Sequence, residues 1–448
     1  MEYIIGILIL ASFVGVAIYA AKGGNLMMGM LIMAVLWTVL PMLGNQIVTN
    51  PEFIAANAEA MSMSWIEAFS KVFQSGPEGW GSVLVNVVFG AWFGRVLLTT
   101  GIASTLIKKT TELGGDKPAL TCILLCGVTT AIFSSLFGAG AVVAIGVIVL
   151  PIFMSLGIPK VLSVVAFMLS IGAGMFVNPV LFGQYTAFFL DEAGKPVYAY
   201  DTYIQWGGIA LAVQLGFTIC LILFVMRKKK AAHQWAVERP IRQKRDAAPG
   251  MALLTPFIPV LLLIIFKLPI ILGFLIAGFY ALFVCGKLKS FTSACRTLNK
   301  DFFDGVVDTA PLVGFLLVIP MFNKAAELCI PYFNVLFKGI IPNNTLVIAL
   351  IFITLAPLGL FRGPFTLFGC GAATLGILKG IGFSTPFLAP LMIAASTVMN
   401  VSCCITQSWI VWGIGYAKIS TKEYMKMSII SGWIVCGILQ MITFFMYG

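Results

Sequence analysis

The chain has 448 residues, of which 60% are hydrophobic and only 10% charged. A soluble protein carries roughly 25% charged residues, so these are too few to keep a surface wet. A soluble enzyme, a disordered chain and a nucleic-acid binder are excluded. Lys and Arg exceed Asp and Glu by 28 − 17 = 11, and the excess is gathered in a few polar stretches, as expected of loops retained in the cytoplasm.

A helical crossing takes about 20 apolar residues. In chain order, predicted spans cover 3–21, 26–48, 80–104, 159–190, 202–226, 251–268, 269–286, 302–324, 386–417 and 427–446. These runs are continuous rather than alternating, which disfavours an outer-membrane barrel. Two further apolar stretches, 119–156 and 345–381, carry Gly, Ser, Thr or Pro near their middles. Each is long enough for a re-entrant hairpin. The expectation is an all-α polytopic membrane protein of about ten transmembrane helices plus two re-entrant hairpins. The run from Tyr3 to Ala21 lacks a basic leader and a small-residue cleavage site, so it reads as a first helix rather than a signal peptide.

Eight basic residues lie between Arg227 and Arg245. Placing them in the cytoplasm puts the lysines of 105–118, 287–300 and 418–426 on the same side. The acidic stretches 51–78 and 191–201, and both termini, then fall outside. A lipid or regulatory partner is the other reading of the 227–245 loop. The ten cysteines include no CxxC pair, and the single histidine, His233, sits in the basic loop. With no HExxH, GxSxG or Walker loop, the sequence offers no metal site, cofactor site or catalytic centre.

The chain echoes itself. Residues 135–141 read SLFGAGA and 366–372 read TLFGCGA, each in the middle of a predicted hairpin. Downstream, NPVLFGQ at 178–184 and NVSCCITQ at 400–407 each interrupt a long apolar span. The predicted topology opens the first hairpin from the cytoplasm and the second from outside. The expected organisation is therefore two inverted repeats, 1–226 and 251–448, joined by a basic linker at 227–250. Broken helices at 159–190 and 386–417 accompany the hairpins. Interrupted helices in an inverted repeat mark a transporter, because irregular backbone at membrane depth is tolerated only where it lines a cavity or is buried in protein.

Ligand contacts are expected at those interruptions. In the first half these are Ser134, Ser135, Gly138, Gly140, Asn178 and Gln184; in the second, Arg362, Thr366, Gly369, Asn400, Ser402, Thr406 and Gln407. Glycines let backbone approach a ligand, and hydroxyls and amides both donate and accept. Close helix packing is the competing reading for the glycines and hydroxyls, and helix capping for the two asparagines. Arg362 is a functional candidate because arginine at membrane depth is costly, and its planar fork suits a carboxylate. A tip near the outer surface with the guanidinium in water is its other reading. Arg95, Lys267, Lys324 and Lys379 are weaker candidates that can snorkel. Asp304 and Asp308 are expected to start a helix, where they suit its dipole, with proton coupling as the alternative role. The hairpins and broken helices have no central acid or histidine, so sodium fits as coupling ion better than a proton.

With these residues in place, the chain resembles the gluconate permease (gluconate:proton symporter) family within the ion-transporter superfamily of citrate and C4-dicarboxylate carriers. The resemblance is carried by FGAWFGRVLLTTG…LIKKTTELGGDK, by the order of hairpins and broken helices, and by TPFLAPLMIAASTVMNVSCCITQSWIVWGIGYAKISTKEYMK. It implies an inner-membrane secondary transporter with a dimerising scaffold and a transport domain that moves as an elevator. It also implies substrate contacts from the hairpin tips and broken-helix turns, where Ser134, Ser135, Asn178, Thr366, Asn400 and Thr406 fall. The expected function is ion-coupled carriage of a small organic anion, or alternatively of a neutral or zwitterionic polar solute.

Overall fold

The computed structural model describes residues 1–21, 24–115, 117–190, 196–228, 247–288, 290–337 and 340–448. The basic loop, with His233, and the acidic stretch 191–195 lie outside the described residues. All described secondary structure is helical, apart from one isolated bridge between Leu190 and Pro196.

Two helices open the chain, α1 (Glu2–Ala21) and α2 (Leu26–Ile47), tied by Trp37 donating to the Ser12 hydroxyl at 2.9 Å. The acidic stretch 51–78, expected outside, is a series of short helical turns, two of them side-chain capped. Asn50 caps Pro51–Ala56, and Ser64 and Glu67 form a reciprocal capping box. These turns feed α3 (Gly81–Thr99). The span expected to reach residue 104 stops at Thr99, because Gly101 takes a left-handed φ of 75°. The supposed basic loop that follows is helical, α4 (Ile102–Gly114). It buries Ile102, Ala103, Ile107, Thr110 and Gly114 on one face and exposes Lys108 and Lys109 on the other.

The first hairpin is α5 (Pro118–Phe133) and α6 (Ala139–Ser155), joined by a five-residue tip, Ser134 to Gly138. The first broken helix is α7 (Lys160–Met175) and α8 (Pro179–Thr186), bent by 67°. Then comes α9 (Tyr200–Lys228). After the linker, Ala248 donates its N–H to the Thr105 hydroxyl at 2.9 Å, which docks the returning chain on α4.

A 3-10 turn at Gly250–Phe257 leads into α10 (Ile258–Phe266), then α11 (Ile270–Val284) and α12 (Phe291–Phe337). At 1.5 Å per residue, α12 is about 70 Å long. The expected span 302–324 is only its middle, so Asp304 and Asp308 do not stand in a first turn and the dipole reading fails for them. The second hairpin is α13 (Thr345–Thr354) with a 3-10 segment Ala356–Arg362 bent from it by 63°, a tip, and α14 (Gly371–Ile381). The second broken helix is α15 (Thr385–Ala395), a π-helical segment Ser396–Cys403, and α16 (Ser408–Ala417); α17 (Thr421–Tyr447) closes the chain.

One succession therefore occurs twice: a helix pair, a long helical passage, a hairpin, a broken helix and a closing helix. Among the described residues, six helices are long and apolar enough to cross a membrane, or up to eight if each bent pair counts as one span. This corrects the expected ten. The apolar helices at Gly250–Phe266 and Ile270–Val284 are shorter than the spans read from hydropathy, whereas α1 (Glu2–Ala21) fills the first expected span. The chain is a multi-pass membrane protein whose core is the pair of broken helices. Every residue from Leu162 to Met175 is buried, as is every residue from Phe387 to Cys404. A helix apolar on all faces has to lie inside the bundle.

Candidate functional site

At the tip of the first hairpin, the serine hydroxyls bond local backbone. The Ser134 hydroxyl donates to the Ala131 carbonyl at 2.7 Å and the Ser135 hydroxyl to the Ile132 carbonyl at 3.4 Å. Asn178 is fully buried in the break between α7 and α8. Its amide donates to the carbonyls of Phe133 and Leu136 at 2.9 and 2.8 Å, and its oxygen accepts from Val180 and Leu181 N–H at 2.8 and 3.2 Å. One side chain thus ties the hairpin tip to the broken helix and caps α8. Gly174 lets α7 press on the same tip, since a Cβ there would collide with the Thr130 carbonyl.

A charge pair also meets this tip. Arg95 of α3 and Asp308 of α12 are 2.5 Å apart. The Asp308 carboxylate sits 2.6 Å from where a Cβ on Gly140 would be, beside the N-terminus of α6, a favourable position for a negative charge. Gly138, at φ 107°, makes the turn, with the Thr309 methyl 3.6 Å from its ideal Cβ. One turn further along α3, Thr99 donates to Asp301 at 2.9 Å. Asp304 lies between these contacts and is partly buried.

The second hairpin is built differently. Its tip folds back tightly. Cys370 N–H donates to the Arg362 carbonyl at 3.0 Å, and Gly369 lies so close to that carbonyl that no side chain fits. The tip is pinned to the second broken helix by Leu367 N–H donating to the Ser396 hydroxyl at 2.9 Å and Phe361 N–H donating to the Cys404 sulfur at 3.1 Å. The Cys404 sulfur also lies 3.1 Å from the partly exposed Thr406 hydroxyl.

Among the described residues, the buried polar atoms without a hydrogen-bond partner include both amide atoms of Asn400, the Thr366 hydroxyl, Arg362 Nε and Gln184 Nε2. Asn400 and Thr366 are fully buried. Buried polar groups are nearly always paired, and leaving one unpaired costs about 1–3 kcal/mol. Such side chains in the interrupted elements, with the Thr129 hydroxyl of the first hairpin beside them, carry hydrogen-bonding capacity that the described residues do not fill. Arg362 adds charge. Its guanidinium donates to the Phe368 carbonyl at 3.3 Å and lies 4.7 Å from the Phe315 ring centroid. No carboxylate of a described residue pairs with it, although its φ of 61° holds it in a strained, defined position.

Ser402 and Gln407, also expected ligands, stand in different surroundings. The Ser402 hydroxyl donates to the Thr397 carbonyl at 3.1 Å, accepts from Gln214 at 3.2 Å, and fills the space that a side chain on Gly172 would need. Gln407 is buried at the start of α16 and makes no side-chain cap. Gln184 stands one residue from Tyr185, whose hydroxyl pairs with Thr397 of the second broken helix at 2.8 Å and whose ring packs 5.2 Å from Phe368 of the second tip. Nothing in the residue pattern pointed to the Tyr185–Thr397 contact or the Arg95–Asp308 pair, which join residues more than 200 positions apart.

No protein-family model matches the chain, and no curated protein matches it. Among solved structures it is similar to the YdaH transporter of Alcanivorax borkumensis, with a TM-score of 0.59 over 92% of this chain and 98% of that one, at 13% identity. The chain has the fold of a membrane transporter. The resemblance to gluconate permeases has no family match behind it.

Proposed function

We propose that the chain is an ion-coupled secondary transporter that carries a small organic anion, a carboxylate, across the cytoplasmic membrane. One observation carries this reading: Arg362, at the tip of an interrupted hairpin, has no carboxylate partner among the described residues and an unpartnered Nε. A cation inside a membrane protein is costly unless paired, and its planar fork suits a carboxylate. Asn400 and Thr366 add donors and acceptors that orient the solute.

Sodium is the preferred coupling ion, since the unpartnered inventory is amide, hydroxyl and backbone. Proton coupling through Asp304 or Asp308 is the alternative, and for Asp308 it would require the pair with Arg95 to open. The doubled succession of elements supports two inverted repeats, and alternating access would follow from an elevator-type movement of the hairpins and broken helices against a dimerising scaffold. The basic stretches support a topology with both termini outside. A neutral or zwitterionic solute is the second reading, favoured by the uncharged Asn400, Thr366 and Gln184.

The test is uptake of labelled carboxylates, amino acids and sugars into proteoliposomes, under a sodium or a proton gradient, for wild type and Arg362→Ala. Sodium-driven carboxylate uptake lost in the variant supports the reading. Uptake of a neutral solute that survives Arg362→Ala would overturn it.

A further inference from the structure

Four non-glycine residues among those described take a left-handed φ. Lys267 and Lys418 directly follow α10 and α16, where a left-handed residue is an ordinary way to end a helix. Phe361 and Arg362 are different. They are consecutive, at φ 52° and 61°, and they stand within the second hairpin. That conformation is costly for any residue with a Cβ, and it persists only where the surroundings over-determine it. The first hairpin has no such step. In the register of the SLFGAGA and TLFGCGA echoes, positions 361 and 362 match Thr130 and Ala131, which continue α5 as ordinary helix. The left-handed pair is particular to the half that carries the arginine.

On the far side of the step, the hairpin closes on itself. Gly363 N–H donates to the Leu360 carbonyl at 2.9 Å and Cys370 N–H to the Arg362 carbonyl at 3.0 Å. On the near side, the hold comes from another element. Phe361 N–H leaves the hairpin and donates to the Cys404 sulfur at 3.1 Å. Cys404 is 1% exposed and directly follows the π-helical segment of the second broken helix. Its neighbour Cys403 turns the other way and donates to the Ser428 carbonyl of α17 at 3.2 Å. Two adjacent thiols thus serve different elements, and Cys404 is the one that reaches the backbone from which the arginine projects. Beyond the step, the guanidinium lies across the tip, on the Phe368 carbonyl and the Phe315 ring.

We propose that Cys404 is a positioning residue for Arg362. Its sulfur holds the Phe361 amide, the held amide keeps the left-handed step, and the step fixes the guanidinium across the tip as a receptor for the anion. The receptor role rests on the anion reading above; the positioning does not. A donor fixed before its ligand arrives loses less freedom on binding.

The experiment reads the guanidinium directly. Arg362 is modified with phenylglyoxal in the full-length protein in detergent, and the rate at its own peptide is followed by mass spectrometry. Cys404→Ala is expected to speed the reaction about five-fold, the shift that follows from losing one ordinary hydrogen bond. Cys404→Val, which fills the space without an acceptor, should do the same. Cys404→Ser, which keeps an acceptor, should restore the wild-type rate. Cys403→Ala removes the same atom one residue away and should leave the rate unchanged. No acceleration in either Cys404→Ala or Cys404→Val would overturn the positioning role. Equal acceleration by Cys403→Ala, or none of the rescue by Cys404→Ser, would make the effect one of packing and overturn it too. If Cys404→Ala speeds modification while Arg362→Ala leaves carboxylate uptake intact, the anion reading fails and the positioning stands. If modification is unchanged while Arg362→Ala abolishes uptake, the positioning fails and the anion reading stands.

Discussion

The two hairpin tips share a sequence echo but not a chemistry. At the first, Ser134, Ser135 and Asn178 have satisfied themselves on neighbouring backbone, and the nearby Arg95 is neutralised by Asp308. At the second, Asn400, Thr366 and Arg362 keep polar atoms with no partner among the described residues. A repeated motif specifies a repeated backbone turn, and the side chains around it decide whether the turn holds the fold or holds a ligand. On the reading proposed above, the first tip is a joint and the second a site.

Four substitutions would break or sharpen that contrast. The largest effect on function belongs to Arg362→Ala. Losing charge-assisted hydrogen bonds to an anion costs about 1.5–3 kcal/mol, so affinity measured by isothermal titration should fall by about 10- to 100-fold, with partial retention in Arg362→Lys. The largest effect on stability belongs to Asn178→Ala, which removes two donated bonds and a helix cap. Destabilisation of about 2–4 kcal/mol is expected, read as a lower melting temperature in detergent. Next comes Asp308→Asn, which leaves Arg95 facing a neutral amide. The pair is partly exposed, so the expected loss is about 1–2 kcal/mol, and an Arg95→Met/Asp308→Leu double variant should recover most of it. Ser135→Ala is the smallest, within about 0.5 kcal/mol, because its bond to the Ile132 carbonyl is long and local.

The architecture was legible where an apolar run is interrupted by small or polar residues. Both hairpin tips and both helix breaks stand where Gly, Asn and Ser interrupt hydropathy. It was less legible where charge and backbone geometry disagree. The lysines of 105–118 look like a loop, yet Ile102, Ala103, Ile107, Thr110 and Gly114 fall on one buried helical face. The length of α12 was hidden by Arg296, Lys300 and Asp301, which read as an end to the membrane. The site was half legible. Sequence chose Asn178 and Asn400 as equivalent, and no local pattern distinguishes a side chain whose partners arrive from 40 residues away from one that has none.

The central claim is that Asn400 is kept for a ligand while its counterpart Asn178 is kept for the fold. The most direct test is the melting temperature of wild type, Ser135→Ala and Asn400→Ala, each with and without a saturating carboxylate in sodium. A ligand at 100 times its Kd stabilises by about 2.7 kcal/mol. The account predicts an unchanged basal melting temperature for Asn400→Ala with the ligand-induced rise lost, and a retained rise for Ser135→Ala. An Asn400→Ala protein that melts well below wild type yet keeps its full ligand-induced rise would make Asn400 a structural joint like Asn178 and contradict the account.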